Sequence, residues 1–142
     1  MTVTRSPETQ SALLFRLALR RYAIPLRRTS GVQDLGVLRK IPNSPRRWFG
    51  LTEWSGRVLN VIDLPHLLGD RAVERAKSIV RLREPHEGMA LYIPAHLGLT
   101  ELSIPEPLAT NAPYVAFGSG PDALHWIHLD VLVAECARQA VS

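Results

Sequence analysis

Cysteine is almost missing from these 142 residues: Cys136 stands alone, so no internal disulfide and no cysteine-based zinc site can be built. Long apolar runs are missing as well. No stretch approaches the roughly 18 residues that a membrane-spanning helix needs. Arg16, Arg20 and Arg21 interrupt the apolar N-terminal segment, which argues against a secretory leader. Also lacking are a Gly-rich phosphate loop, a Gly-x-Ser-x-Gly elbow and a His-Glu-x-x-His helix. His125 and His128 lie three apart in a segment that reads as a strand, where they point to opposite faces and cannot share a metal. Cys136 reads as a small core residue and Asp63 as a helix cap. The expectation is a cytoplasmic bacterial protein without membrane insertion, catalytic residue, metal or cofactor.

What is present is ordinary globular composition, 46% hydrophobic and 21% charged. A single domain of this length buries about 70% of its unfolded surface. Residues 1–10 are polar and aperiodic and are expected to form a disordered tail, leaving 11–142 as the domain. The net charge of +4 is unevenly spread. Through Arg57 there are eleven Lys/Arg against three Asp/Glu (+8), and beyond it six against ten (−4). Such a split can steer association. Arg27-Arg28, Arg39-Lys40 and Arg46-Arg47 form basic pairs, yet no RNA-recognition, zinc-finger or basic-helix motif accompanies them, which disfavours nucleic acid.

The hydrophobic pattern is mostly of period two. Leu13, Phe15, Leu17 and Leu19 are apolar on the odd positions while Arg16 and Arg20 sit on even ones, predicting a half-buried strand; at Arg20-Arg21 the parity switches to Tyr22, Ile24 and Leu26, a second strand. Residues 27–47 read as a long loop containing a short strand. Trp48–Trp54 and 57–62 read as strands joined by a turn at Ser55-Gly56, the latter apolar enough to be covered on both faces. Asp63, Pro65 and Gly69 then mark the start and end of a helical turn. Residues 70–77 are expected as loop or one helical turn, 78–83 and 89–93 as strands around a five-residue connection. Prolines at 105, 107 and 113 mark another long connection, before strands over 114–117 and 123–129 with a turn at 118–122. Asp130 is expected to cap a C-terminal helix reaching about residue 140, with Leu132, Val133, Cys136, Ala137 and Ala140 at helical spacing.

Several of these segments carry a family resemblance. Ile41-Pro42, Pro45, Gly50-Leu51, Gly56 and Val61-Ile62-Asp63-Leu64 fall on the pattern of the CheW-like adaptor domain without gaps, as do Phe15-x-Leu17 and Tyr22-Ala23-Ile24-Pro25-Leu26. The resemblance is fairly specific from Phe15 to Gly69 and weak beyond. It departs in replacing the family's turn arginine by Ser55, its strand proline by Asn60, and its glutamate ahead of the proline-bracketed loop by Gly31. In the 89–93 strand, the family's glycine falls on Ala90 and its aspartate on Pro94.

The resemblance implies a mainly β fold: two intertwined five-stranded SH3-like barrels with short helices and a C-terminal helix. It implies a non-enzymatic adaptor joining chemoreceptor cytoplasmic tips to the regulatory domain of a CheA-type histidine kinase, held at the inner face of the membrane through receptor arrays. It places candidate contacts at Thr29, Ser30 and Gly31 and at Glu53, Trp54, Ser55, Gly56 and Arg57. Trp48 and Trp54 suit either the core or an interface, and Trp54, beside the turn, is the leading interface candidate. Because Ser55 cannot form the bidentate carboxylate pair of an arginine, a divergent adaptor is expected, for example of a surface-motility array. Alternatives are a degenerate array regulator that binds the kinase without coupling receptors, and a basic nucleic-acid-binding β-barrel.

Overall fold

The computed structural model describes residues 9–43, 45, 47–103, 112–118 and 120–139. The chain begins with an antiparallel hairpin, β1 (Thr9–Arg16) and β2 (Arg21–Pro25), with Leu13 opposite Ile24 and Phe15 opposite Tyr22. β1 thus starts two residues inside the segment expected as a tail, while residues 1–8 lie outside the described residues. A 3-10 turn at Leu26–Arg28 leads into β3 (Thr29–Asp34) and the two-residue β4 (Leu38–Arg39). β5 (Trp48–Trp54) and β6 (Arg57–Asp63) form the second hairpin.

Helix α1 (Leu64–Leu68) follows at once. Asp63 accepts the His66 N–H at 3.4 Å, Pro65 sits in the first turn, and Gly69 closes the helix at φ 64°. The helix-forming composition of residues 70–77 does not prevail, and the segment is loop. β7 (Ser78–Leu82) and β8 (Met89–Ile93) pair antiparallel, and β8 also lies parallel to β6. Then come β9 (Gly98–Ser103), β10 (Tyr114–Phe117) and β11 (Leu124–Ile127), and the chain ends in α2 (Leu129–Gln139). The expected proline-rich connection over 104–111 and the place of Ala140 lie outside the described residues.

Two mixed sheets result, ordered β10-β11-β2-β1-β9 and β3-β7-β8-β6-β5-β4. The chain starts in the first sheet, leaves it to build the whole second sheet, and returns to finish the first. The first sheet has the expected five strands; the second gains a sixth through β4.

Three hydrophobic clusters follow from strand alternation. Successive side chains point to opposite faces, so each central strand serves two cores. Val61, Ile79 and Ala90 join Leu59 inside the second sheet, while their neighbours Ile62, Val80 and Leu91 face outward into a seam. Phe15, Tyr22, Ile24 and Ile127 enter that seam from the first sheet, and Leu132, Val133 and Cys136 enter it from α2. The opposite face of the first sheet carries Ala12, Ala23 and Trp126. β1 is therefore covered on both faces instead of half-buried, because Trp126, far away in sequence, packs over its small even-numbered side.

β6 shows the reverse correction. Only its C-terminal end is covered on both faces; Arg57 and Asn60 are exposed and Val58 is 67% exposed, since the strand's start projects past the seam as a hairpin. At α2 the capping acceptor is His128, not Asp130. Its Nδ1 accepts the Val131 N–H at 3.3 Å and its carbonyl accepts the Leu132 N–H at 3.0 Å. Asp130 falls inside the first turn, where a negative charge also suits the helix dipole. Ala137, placed on the apolar stripe by spacing, is exposed.

Candidate partner-binding surface

The two sequence segments singled out as contacts, 29–31 and 53–57, meet in space. β3 lies at one edge of the second sheet and β5 near the other, and the sheet curls until Trp54 rests against Gly31. A Cβ built on Gly31 would stand 3.0 Å from the Trp54 ring. The indole packs inward on the cluster of Leu59, Val61, Ile79 and Ala90 and is half-buried. Trp54 thus plugs one end of the second sheet's core. Trp48 likewise packs against the seam.

The hairpin tip beyond Trp54 is a two-residue turn. Ser55 at φ 50° and Gly56 at φ 79° both have positive φ, the requirement of a type I′ turn, which matches the twist of the flanking strands. Glu53, Ser55, Gly56 and Arg57 are exposed there. Beside them a depression of about 540 Å³ is lined by Val37, Leu51 and Val58, with Arg39 and Glu53 at its rim.

Not every candidate reaches this surface. Thr29 is only 4% exposed, and its hydroxyl donates to the Leu26 carbonyl at 2.8 Å. Ser30 is exposed, because β3 carries a bulge at this point: Thr29 pairs with Leu82 and Gly31 with Arg81, leaving Ser30 as the extra residue. The cross-strand neighbour of Gly31 is therefore Arg81, whose side chain emerges on the same face as the indole.

A second polar cluster ties the two sheets and α2 together. Arg28 grips the Asp130 carboxylate with both terminal nitrogens, at 2.6 and 3.3 Å, and His86 Nε2 lies 3.0 Å from Asp130 Oδ1. Arg28 above all, with His86, holds the carboxyl down at about 2. Its folded pKa lies below the unfolded value near 3.9, so the stabilisation is present above that value and lost as pH falls toward 2. The Asp130 side chain is about half exposed (52%), so screening keeps the contribution small, below about 1 kcal/mol. Asp130→Asn is expected to lower the melting temperature slightly at pH 7 and to flatten its decline between about pH 4 and 2, measured by circular dichroism.

Other polar groups turn inward. Arg47 is 8% exposed; its Nε donates to the Cys136 carbonyl at 3.1 Å, and its own carbonyl accepts the Asp63 N–H at 2.7 Å. Arg28 and Arg47, two members of the basic pairs, are thus engaged within the protein. Burial pushes the Cys136 thiol up to about 11, the Arg47 charge opposing this in part, so the sulfur stays protonated. On the far side, Tyr22 Oη donates to Asp70 at 2.8 Å and Arg20 lies 5.2 Å from the Tyr114 ring centre. Burial raises the Tyr22 pKa, so the phenol remains a donor. Among the described residues there is no group of three or more His, Cys, Asp or Glu able to hold a metal, and no helix long and apolar enough to cross a membrane.

The sequence profile of the CheW-like domain matches residues 11–116, about three quarters of the chain. The chain belongs to the CheW-like domain family. The matched span runs from β1 into β10 and includes both segments of the candidate surface; β11 and α2 complete the first sheet and the seam outside it. A crystal structure of the scaffolding protein TtCheW from Thermoanaerobacter tengcongensis is similar throughout. The TM-score is 0.71 at 20% identity, covering 93% of this chain and 92% of that one. The fold is accordingly that of two SH3-like barrel units. No curated protein sequence matches the chain significantly.

Two groups of residues escaped the sequence reading. Arg28, His86 and Asp130 come from three separate segments, and Asp130 already had a satisfactory role as a helix cap. The packing of Trp54 on Gly31 was also hidden, although Gly31 stood out as a departure from the family pattern and Trp54 as an interface candidate. Together they have one explanation: a bulky ring at 54 needs a residue without a side chain at 31.

Proposed function

We propose that the chain is a non-enzymatic chemosensory adaptor, a cytoplasmic scaffold that couples receptors to a CheA-type histidine kinase at the inner face of the membrane. The observation that carries this reading is the CheW-like domain match over residues 11–116. The described residues fit a scaffold in their chemistry. The lone thiol is buried and protonated, the buried polar groups brace sheets and helix, and the exposed polar groups of the hairpin lie on an open surface. Ser30, Glu53, Ser55, Gly56 and Arg57 supply the contact surface, with Gly31 and Trp54 setting its shape from beneath and Thr29 fixing the backbone at its edge.

A second reading has its own observation. With Ser55 in the turn and the indole over Gly31, neither charge of the family's arginine–glutamate pattern is available. An array regulator that binds the kinase without coupling receptors would follow. Both readings are tested by immobilising the purified chain and offering the kinase regulatory domain and a receptor cytoplasmic fragment from the same cell. Capture of both is expected for the adaptor. Capture of the kinase domain alone would establish the regulator, and capture of neither would end both.

A further inference from the structure

Beside the hairpin, a groove of about 570 Å³ runs between the 3-10 turn, the start of β3 and the end of β7. Arg27, Ser30, Arg81 and Arg83 line it from these elements, and Glu84 and Glu87 line it from the β7–β8 connection. Arg83 is fixed, its Nε donating to the Thr29 carbonyl at 2.7 Å and its N–H to the Arg28 carbonyl at 3.0 Å. Arg81 is different. It is half-buried, yet among the described residues its side chain makes no hydrogen bond or ion pair. A guanidinium cannot shed its proton to escape partial desolvation, and a carboxylate brought by a partner would give it the charge-assisted bonds that the chain itself does not.

We propose that this groove docks a segment of the kinase regulatory domain that carries both signs of charge, with a carboxylate paired to Arg81 and basic groups facing Glu84 and Glu87. The proposal rests on the adaptor reading and names the chemistry of its kinase contact. Arg81 lies directly across from Gly31, so the groove continues the surface formed by Ser30 and the hairpin. The cation missing from the turn at Ser55 is thereby supplied from β7, a strand away. Guanidinium favours a carboxylate because two parallel hydrogen bonds can form. The two glutamates decide against a uniform polyanion: a nucleic-acid backbone presents closely spaced like charges and would meet Glu84 and Glu87 along with the arginines. A protein segment of alternating sign fits both.

The test uses the full chain, the immobilised kinase regulatory domain of the same cell, and a 20-base-pair DNA duplex as competitor. Arg81→Glu is expected to weaken capture at least tenfold and to flatten its salt dependence, with the melting temperature little changed. If Arg81→Glu folds poorly, the exposed Arg27→Glu reads the same groove, with a smaller loss of about threefold to tenfold expected. Binding within twofold of the parent for the folded variants overturns the proposal while leaving the adaptor reading intact. Displacement of the kinase domain by the duplex at physiological salt also overturns it, in favour of nucleic acid. Absence of capture by the parent chain removes the adaptor reading, and this proposal with it.

Discussion

Gly50→Ala is expected to cost several kcal/mol and to detach β4 from β5. Gly50 sits at φ 152°, in a region that residues with a side chain rarely adopt, next to the bulge where β5 shifts register between Trp48 and Gly50. A Cβ there would lie 2.6 Å from the Arg39 carbonyl oxygen and 3.1 Å from Leu38 Cγ. The carbonyl belongs to the backbone of the neighbouring strand and cannot move without breaking the pairing of Leu38 with Thr52 and Arg39 with Leu51. Backbone strain adds about 1–3 kcal/mol and overpacking about as much again. At about 3 °C per kcal/mol for a domain of this size, thermal melting should fall by roughly 6–18 °C. The functional consequence follows from position. Val37, just ahead of β4, is held to β5 by the bond from Thr52 Oγ1 to its carbonyl, 2.9 Å long, and with Arg39 of β4 it lines the depression beside the hairpin. A variant that melts within 2 °C of the parent would show that the strands can separate locally without harm.

Trp126→Ala is expected to destabilise the first sheet by about 3–5 kcal/mol, the usual cost of emptying an aromatic site in a core. Trp126 is 3% exposed and pairs beside Ala23 in the parallel β11–β2 register. Ala12 and Ala23 are both fully buried beneath it, small because the indole is large, and Leu14, Leu102, Phe117 and Leu124 complete the surroundings. With only the short Ala12 and Ala23 side chains beneath the void, the sheet offers little that can collapse into it. Trp126→Phe should recover more than half of the loss. Equal melting temperatures for the alanine and phenylalanine variants would mean that ring volume is not what holds this face together.

The candidate surface was legible in part, and its residues show why. Ser55-Gly56 announced a hairpin turn through local chemistry alone, and the structure places positive φ at both residues. Gly31 was visible as a departure from the family pattern and Trp54 as an interface candidate, but their contact joins strands at opposite sides of a curled sheet. No spacing rule reaches across that distance. Thr29 shows the opposite limit: a residue chosen by position in a family pattern turns inward because a bulge at Ser30 shifts the alternation by one. β9, paired with β1 from Thr9 to Leu14, was missed because its side chains are mostly exposed, with Leu99 at 68%. A strand at the edge of a sheet leaves little hydrophobic pattern to read.

What the sequence determined by itself is whatever depends on near neighbours: hairpins, period-two strands, the Asp63–Gly69 helical turn, and the family to which these in order belong. Tertiary structure alone decided which strand faces are doubly covered, which acid caps a helix and which grips an arginine, and which cations remain for a partner. The reason is physical. Alternation and capping act over a few residues of chain, whereas Trp126 over Ala23, Arg28 on Asp130 and the unpaired Arg81 arise from segments tens of residues apart that meet only when the sheets close.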